Sequence, residues 1–373
     1  MKIVVNTRLL IENKLDGIGW FTYETLKRIT KNHPEHHFYF LFDRKYSNNF
    51  IFSENITPII LNPPARHPFL WFAWFEHSVK KFLKKINADL FLSPDGYLSL
   101  SSRIRQIPVI HDINFVHRPQ DLPFLTRKYY NYFFPKFAKK AYNIATVSEY
   151  SKFDIAGEYN ILEEKISVVY NGCNEIYKPI NENKKVGIKQ RYSNGKDYFI
   201  FIGTLHPRKN IVRLFQAFEL FKSETNSNFK LVIVGEKMFL TKDIENTYNS
   251  SKYKEDIIFT GRLNSDDLHN VLASAFAMTF VPLFEGFGIP LVEAMNCNVP
   301  IISSNTTSLP EVAGKAALFV NPFKVYEIKD AMIKIVTDKN LRNSLIEKGE
   351  KRKLEFSWDK TAEKLWKIIE DSF

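Results

Sequence analysis

Along nearly the whole chain, short apolar runs alternate with longer segments in which apolar residues recur every three or four positions. Runs over residues 2–6, 37–42, 56–61, 88–93, 107–111, 143–147 and 166–170 have the length and content of strands. The rhythm restarts at 198–203 and continues through 229–235, 257–261, 276–281, 299–303 and 316–320. Strands that alternate with helices predict an α/β protein whose parallel sheets are covered by helices on both faces. Residues 179–196 are polar, lack apolar periodicity and read as a linker. The chain then divides into a first domain over 1–178 and a second over 197–356, with ligands expected beyond the carboxyl ends of the strands. A final helix-like run over 357–373 follows Phe356-Ser357-Trp358.

One amphipathic stretch, residues 69–86, stands apart from this rhythm. Trp71, Phe75, Val79, Phe82 and Ile86 fall at helical spacing, and Lys80, Lys81, Lys84 and Lys85 cluster beside them. Two readings stay open. One is a core-facing helix with a solvated lysine edge. The other is an interfacial helix that docks on an anionic membrane.

Composition narrows the class. A length of 373 residues exceeds what one ordinary core supports and agrees with two domains. With 45% hydrophobic and 25% charged residues the chain is of soluble globular type, and 33 Phe point to large apolar cores. The net charge is +11, with the larger share of the excess in residues 1–178. Such a balance suits nucleic acid or an anionic membrane, and is also common in proteins that bind neither. Cys173 and Cys297 are far apart and lack metal-site spacing, which suggests a reducing compartment. No run approaches the roughly 20 apolar residues of a membrane span, and the N-terminus does not resemble a signal peptide. The expected location is cytoplasmic, with the cytosolic face of a membrane kept open.

The chemistry concentrates in Phe284-Glu285-Gly286-Phe287-Gly288-Ile289-Pro290-Leu291-Val292-Glu293-Ala294. A strand-like run ends just before it, and a helix is expected from Pro290, with Glu285 on the loop and Glu293 on the first turn. The glycines admit close approach of backbone to a ligand. Backbone N–H groups at Gly288 and Ile289 attract phosphate, while carboxylates accept hydrogen bonds from hydroxyls. A sugar nucleotide satisfies both. The plainer reading is a helix whose Glu293 complements the dipole. A second constellation is Gly203-Thr204-Leu205-His206-Pro207-Arg208-Lys209-Asn210, with Asn210 expected to cap the next helix. Two cations beside a helix N-terminus are unfavourable without an anion, and a diphosphate resolves that conflict.

Glu285 and Glu293, with seven residues between them, resemble the E-x7-E motif of retaining GT-B glycosyltransferases, in particular glycosyltransferase family 4. Arg208 and Lys209 are similar to that family's diphosphate-binding pair, although Thr204 stands where many relatives carry Arg. His111-Asp112 resembles the first-domain motif whose histidine approaches the donor sugar. The resemblance assigns Gly17 and Gly19 to a glycine loop over the diphosphate. It gives Gly203, Arg262, Leu263, Phe287, Gly288 and Ile289 to donor binding, with Arg262 and Leu263 on the base side.

The resemblance covers nearly the whole chain. It implies a GT-B fold, two Rossmann-like domains facing each other across a cleft, with the last helix crossing back to the first domain and Trp358 as its anchor. The implied reaction is transfer of a hexose from a nucleoside diphosphate sugar, with retention, by a front-face route in which His111 orients the sugar. Glu285 would grip sugar hydroxyls and Glu293 the ribose. No Asp-x-Asp occurs, so no metal clamp is expected, and no cofactor beyond the co-substrate. GDP-mannose is the expected donor, with UDP-hexoses next. The acceptor is expected to be a glycan or lipid-linked, with peripheral contact to an anionic membrane and no nucleic acid partner. Two readings from other classes compete. A nicotinamide-dependent oxidoreductase is weakened by the missing third glycine after Gly17 and Gly19, and a basic, non-catalytic nucleic-acid or membrane-binding protein explains the charge alone.

Overall fold

Every apolar run expected to be a strand is one, with ends that agree to within three residues. The computed structural model describes residues 1–237 and 241–373. It falls into two units, Met1–Gly172 together with Ser357–Phe373, and Cys173–Phe356.

In the first unit β1 (Lys2–Asn6), β2 (His37–Phe42), β3 (Ile56–Ile60), β4 (Leu90–Ser93) and β5 (Arg105–Pro108) form one sheet in the order β3-β2-β1-β4-β5, parallel throughout. β6 (Ile144–Thr146) and β7 (Ile166–Val168) form a separate parallel pair, joined to the end of β5 by the Val109–Ala145 bridge. The helix Gly17–Asn32 buries Phe21, Leu26 and Ile29. The C-terminal helix Trp358–Glu370 packs beside it and belongs to this unit. Trp366 lies flat on His33, with ring centroids 3.7 Å apart, and Arg28 of the first helix pairs with Asp359. A Cβ on Gly172 would lie 2.2 Å from the Trp358 backbone nitrogen, so only glycine lets the two backbones pass.

The stretch containing 69–86 is a continuous helical run, Pro68–Ala73, Trp74–Val79 and Lys80–Ile86, the middle part wound as a π-helix. Phe75 and Val79 are buried, and Trp71, Phe82 and Ile86 pack against the same core. The periodic stripe is therefore core, and docking through that stripe is excluded. Lys80, Lys81, Lys84 and Lys85 form its exposed edge. Among the described residues no helix is long and apolar enough to cross a membrane.

The second unit holds β8 (Tyr198–Ile202), β9 (Lys230–Val234), β10 (Ile257–Gly261), β11 (Ala277–Phe280), β12 (Ile301–Ser304) and β13 (Ala317–Val320). Their order is β10-β9-β8-β11-β12-β13, again all parallel. The first unit ends at Gly172 and not at Lys178. The expected linker over 179–196 is instead largely the helix Glu182–Ser193 inside the second unit, capped by Asn181, whose side chain accepts from Lys184 N at 2.8 Å.

Candidate active site

In the second sheet the chain winds outward one way from β8 to β9 and the other way from β11 to β12. The loops after β8 and β11, whose strands are neighbours in the sheet, therefore meet at the carboxyl ends of the strands, where ligands of such sheets bind. The loop after β8 carries Arg208 and Lys209 on a short 3₁₀ turn, Pro207–Lys209. The loop after β11 carries Glu285. Arg208 Nη1 donates to Glu285 Oε1 at 2.7 Å and to the Phe284 carbonyl at 3.0 Å. Lys209 Nζ donates to the same Glu285 oxygen. The Lys209 and Glu285 side chains are each only 10% exposed. Burial by itself would raise the Glu285 pKa, but Arg208 and Lys209 more than offset it and hold the carboxyl below its ordinary value. The anion that the paired cations were expected to need is thus supplied within the chain.

Asn210 and Gly203, which the sequence reading gave other roles, and Thr307, Ser308 and Gly235, which it passed over, build this arrangement. Asn210 precedes the helix Ile211–Thr225 but does not cap it; it adopts a left-handed conformation with φ 62°. Its Nδ2 donates to the carbonyls of Val281 (2.9 Å) and Pro322 (2.7 Å), tying the loops after β8, β11 and β13 together. On the far side, Glu285 N donates to Thr307 Oγ1 at 3.3 Å and Ser308 Oγ donates to the Glu285 carbonyl at 2.9 Å. Gly203 follows β8 with φ 150°, and a Cβ there would stand 3.6 Å from Lys209 Cε. Its neighbour Gly235 is more constrained still, since a Cβ would fall 1.9 Å from the Gly203 carbonyl oxygen. A left-handed Asn and a glycine at each strand end were the available signals.

Gly288 precedes the helix Ile289–Asn296 with φ 94°, and a Cβ on it would lie 2.7 Å from Leu309 Cδ2. The fold itself thus demands this glycine. Pro290 has no N–H, and Leu291 N donates to the Gly288 carbonyl at 3.0 Å. Of the first three helical positions, Ile289 is the one left with an N–H for an anion, among the described residues. Because the helix begins at Ile289, Glu293 stands on its second turn, not the first as expected. Burial pushes the Glu293 carboxyl up to about 7, partly countered by a hydrogen bond from the Tyr177 hydroxyl. Burial also raises the Cys173 and Cys297 thiols, and Glu293 raises both further, so neither is a thiolate near neutral pH. Phe287 is buried with its ring edge-on to Phe356, centroids 5.5 Å apart. Arg262 is exposed and Leu263 half-buried, just after β10.

In the first unit, Gly17 and Gly19 do not lie in a loop: they occupy the first turn of the helix Gly17–Asn32, behind Asp16. A Cβ on Gly19 would meet Leu15 Cδ2 and the Leu9 carbonyl at 3.2 Å, so the preceding loop folds back on it. His111 lies beyond β5, which ends at Pro108 and not at the histidine. Its Nε2 donates to the Pro94 carbonyl at 2.9 Å, which fixes the tautomer because a carbonyl only accepts. Burial lowers the His111 pKa against the opposing pull of Pro94, Asp112 and Asp95, so the ring is neutral near pH 7. Phe21 stands edge-on to it at 5.0 Å.

The description of group 1 glycosyl transferases matches residues 184–352, and that of glycosyltransferase family 4 matches residues 15–175. The O-antigen chain mannosyltransferase B of Escherichia coli is 29% identical over 256 residues, 68% of this chain and 67% of that protein. The O-antigen chain mannosyltransferase RfbU of Salmonella typhimurium is 27% identical over 256 residues, with the same 68% and 67% covered. Among solved structures, sucrose-phosphate synthase from Thermosynechococcus elongatus matches with a TM-score of 0.80 at 15% identity, over 99% of this chain and 98% of that one. That neighbour is a GT-B protein.

Proposed function

The chain belongs to the family 4, group 1 glycosyltransferases and has their GT-B fold, and from that membership we propose that it moves mannose from GDP-mannose, with retention and without a metal. The acceptor in this reading is a glycan or a lipid-linked sugar in cell-surface polysaccharide synthesis. The observation that carries the reading is Arg208 and Lys209 meeting one buried, ionised carboxylate, Glu285, where the second sheet reverses its strand order. Breaking a glycosyl–phosphate bond leaves negative charge on the diphosphate and develops positive charge on the sugar ring. Lys209, Arg208 and the Ile289 N–H stabilise the first, and preorganised donors of this kind need no reorganisation when the bond breaks. Glu285, kept ionised by its cations, accepts from sugar hydroxyls, and Glu293 accepts from the ribose.

The resemblance adds the Gly17 and Gly19 amides at the diphosphate, His111 at the sugar, and Gly203, Arg262, Leu263, Phe287 and Gly288 around the nucleotide. A neutral His111 with Nε2 committed to Pro94 orients the sugar; it is not a proton donor. The front-face route follows, in which the leaving phosphate oxygen takes the acceptor's proton. Mannose is favoured because the curated relatives named above are mannosyltransferases. No Asp-x-Asp is present in the sequence, which supports cations and backbone amides in place of a metal clamp.

Incubating the purified protein with GDP-mannose, UDP-glucose and UDP-galactose, with and without EDTA, tests this. GDP-mannose should be consumed fastest, at a rate insensitive to EDTA, and the product should keep the donor's anomeric configuration by NMR. Faster use of a UDP-hexose, an inverted product or loss of turnover with EDTA would each overturn the corresponding part.

A further inference from the structure

His117 ends the short helix Asn114–His117, and Asp154 and Glu158 stand four residues apart on the helix Glu149–Tyr159. That spacing puts both carboxylates on one helix face, where like charges repel. The fold lays His117 against this face although it precedes Asp154 by 37 residues, which hides the set from any reading of local spacing. One donor atom from each of the three, an imidazole nitrogen and two carboxylate oxygens, lies within 4.8 Å of the others. Among the described residues this is the one group of three His, Cys, Asp or Glu side chains gathered so closely.

A plain His–Asp contact accounts for part of the set. His117 Nε2 and Asp154 Oδ1 are 2.7 Å apart, a hydrogen-bond distance. That contact leaves the other Asp154 oxygen unexplained. The Asp154 side chain is only 10% exposed, and its Oδ2 is buried without a hydrogen-bond partner. Buried polar atoms are nearly always partnered, because an orphaned one keeps the full cost of losing water. Burial raises the Asp154 pKa; His117 opposes this, while Glu158 and Asp112 add to it. One imidazole thus faces three carboxylates, of which Asp112 is already engaged by the Asn114 N–H. Tyr159, next to Glu158 in the chain, also buries a hydroxyl without a hydrogen-bond partner.

We propose that His117, Asp154 and Glu158 bind a divalent transition metal of zinc type, with the second Asp154 oxygen drawn into the coordination. An imidazole nitrogen among carboxylates selects zinc over magnesium and calcium, which take oxygen ligands. Three protein ligands with water in the remaining place make a complete zinc shell. Bonds of roughly 2 Å to the metal put neighbouring donor atoms about 3 Å apart. His117 and Asp154 already stand near that spacing, and Glu158, which is exposed, closes the remainder by changing rotamer. The metal cancels the repulsion along the helix and ties it to the segment that follows Asp112. The three ligands lie in the first unit and include none of the residues assigned to the donor, so the metal carries no step of the transfer.

Calorimetric titration of the full chain with zinc chloride, after passage over a chelating resin, tests this apart from catalysis. One equivalent should bind, and the melting temperature should rise with it. Glu158→Gln and His117→Ala should each weaken binding by about tenfold or more, since even the outer-shell partners of a metal carry that much. Glu158 is exposed, so its variant should melt like the metal-free wild type and keeps the test decisive if His117→Ala fails to fold. EDTA should reverse the rise in melting temperature and leave turnover unchanged, so a failure here leaves the donor reading standing. Absence of zinc binding, undiminished binding by the variants, or magnesium held as tightly as zinc would overturn the proposal and leave a His–Asp pair with a surface acid beside it.

Discussion

Glu285 and Glu293 belong to one loop-and-helix segment, yet their surroundings push their acidities apart. Two cations lower the first, while burial raises the second to about 7. Removing Glu285 by Glu285→Ala strands Lys209 in a buried site, and breaking such a pair costs about 3–5 kcal/mol, which urea unfolding would register. Turnover should fall by ~10²-fold or more in both Glu285→Ala and Lys209→Ala, measured as kcat with saturating donor. Retention of near-normal turnover by both would remove the proposed mechanism.

Glu293 gives a pH dependence of opposite sign to an ordinary ion-paired acid. Its folded pKa lies above the ordinary carboxyl value of 4.5, so the folded state holds the proton more tightly. The contribution is present below pH 4.5 and is lost as pH rises to about 7, on the order of 3 kcal/mol in all. Glu293→Gln should therefore gain more melting temperature over the wild type at pH 8 than at pH 5. An equal offset at both pH values would contradict the buried-acid assignment. Glu285 runs the other way, its contribution being lost only as pH falls through its lowered pKa.

At the level of elements, the strands were legible because a parallel strand buried on both faces reads as an unbroken apolar run. β8 is such a case, Tyr198–Ile202 being buried at every position. The helix Glu182–Ser193 was missed for the converse reason. It is solvated on most sides and has no apolar stripe; only its ends, Asn181 as cap and the left-handed Asn194 followed by Gly195, marked it. Gly288 shows how an element boundary is enforced. Gly288→Ala would force a Cβ into Leu309 at a positive φ, and should destabilise the protein by about 1–3 kcal/mol. A chemical-denaturation midpoint unchanged from wild type would show that the turn can relax.

For the molecule as a whole, the chain returns at its end to the unit it began with. Trp358, Leu365, Trp366 and Ile369 are buried on the C-terminal helix, which packs beside the helix Gly17–Asn32. Truncation after Phe356 should speed amide exchange in that first helix while β8 to β13 keep their protection; uniform exchange across both units would contradict it. Sequence alone determined the α/β alternation, the parallel sheets and the residues of the E-x7-E segment, because periodicity and local turn chemistry are short-range properties. Tertiary structure decided what short-range signals do not encode. Strand order brings the loops after β8 and β11 side by side, so that Arg208 and Lys209 meet Glu285 more than seventy residues on. Burial, also a property of the assembled fold, sets the charge of Glu293 and consumes the Trp71–Ile86 stripe, leaving a different set of aromatics in water.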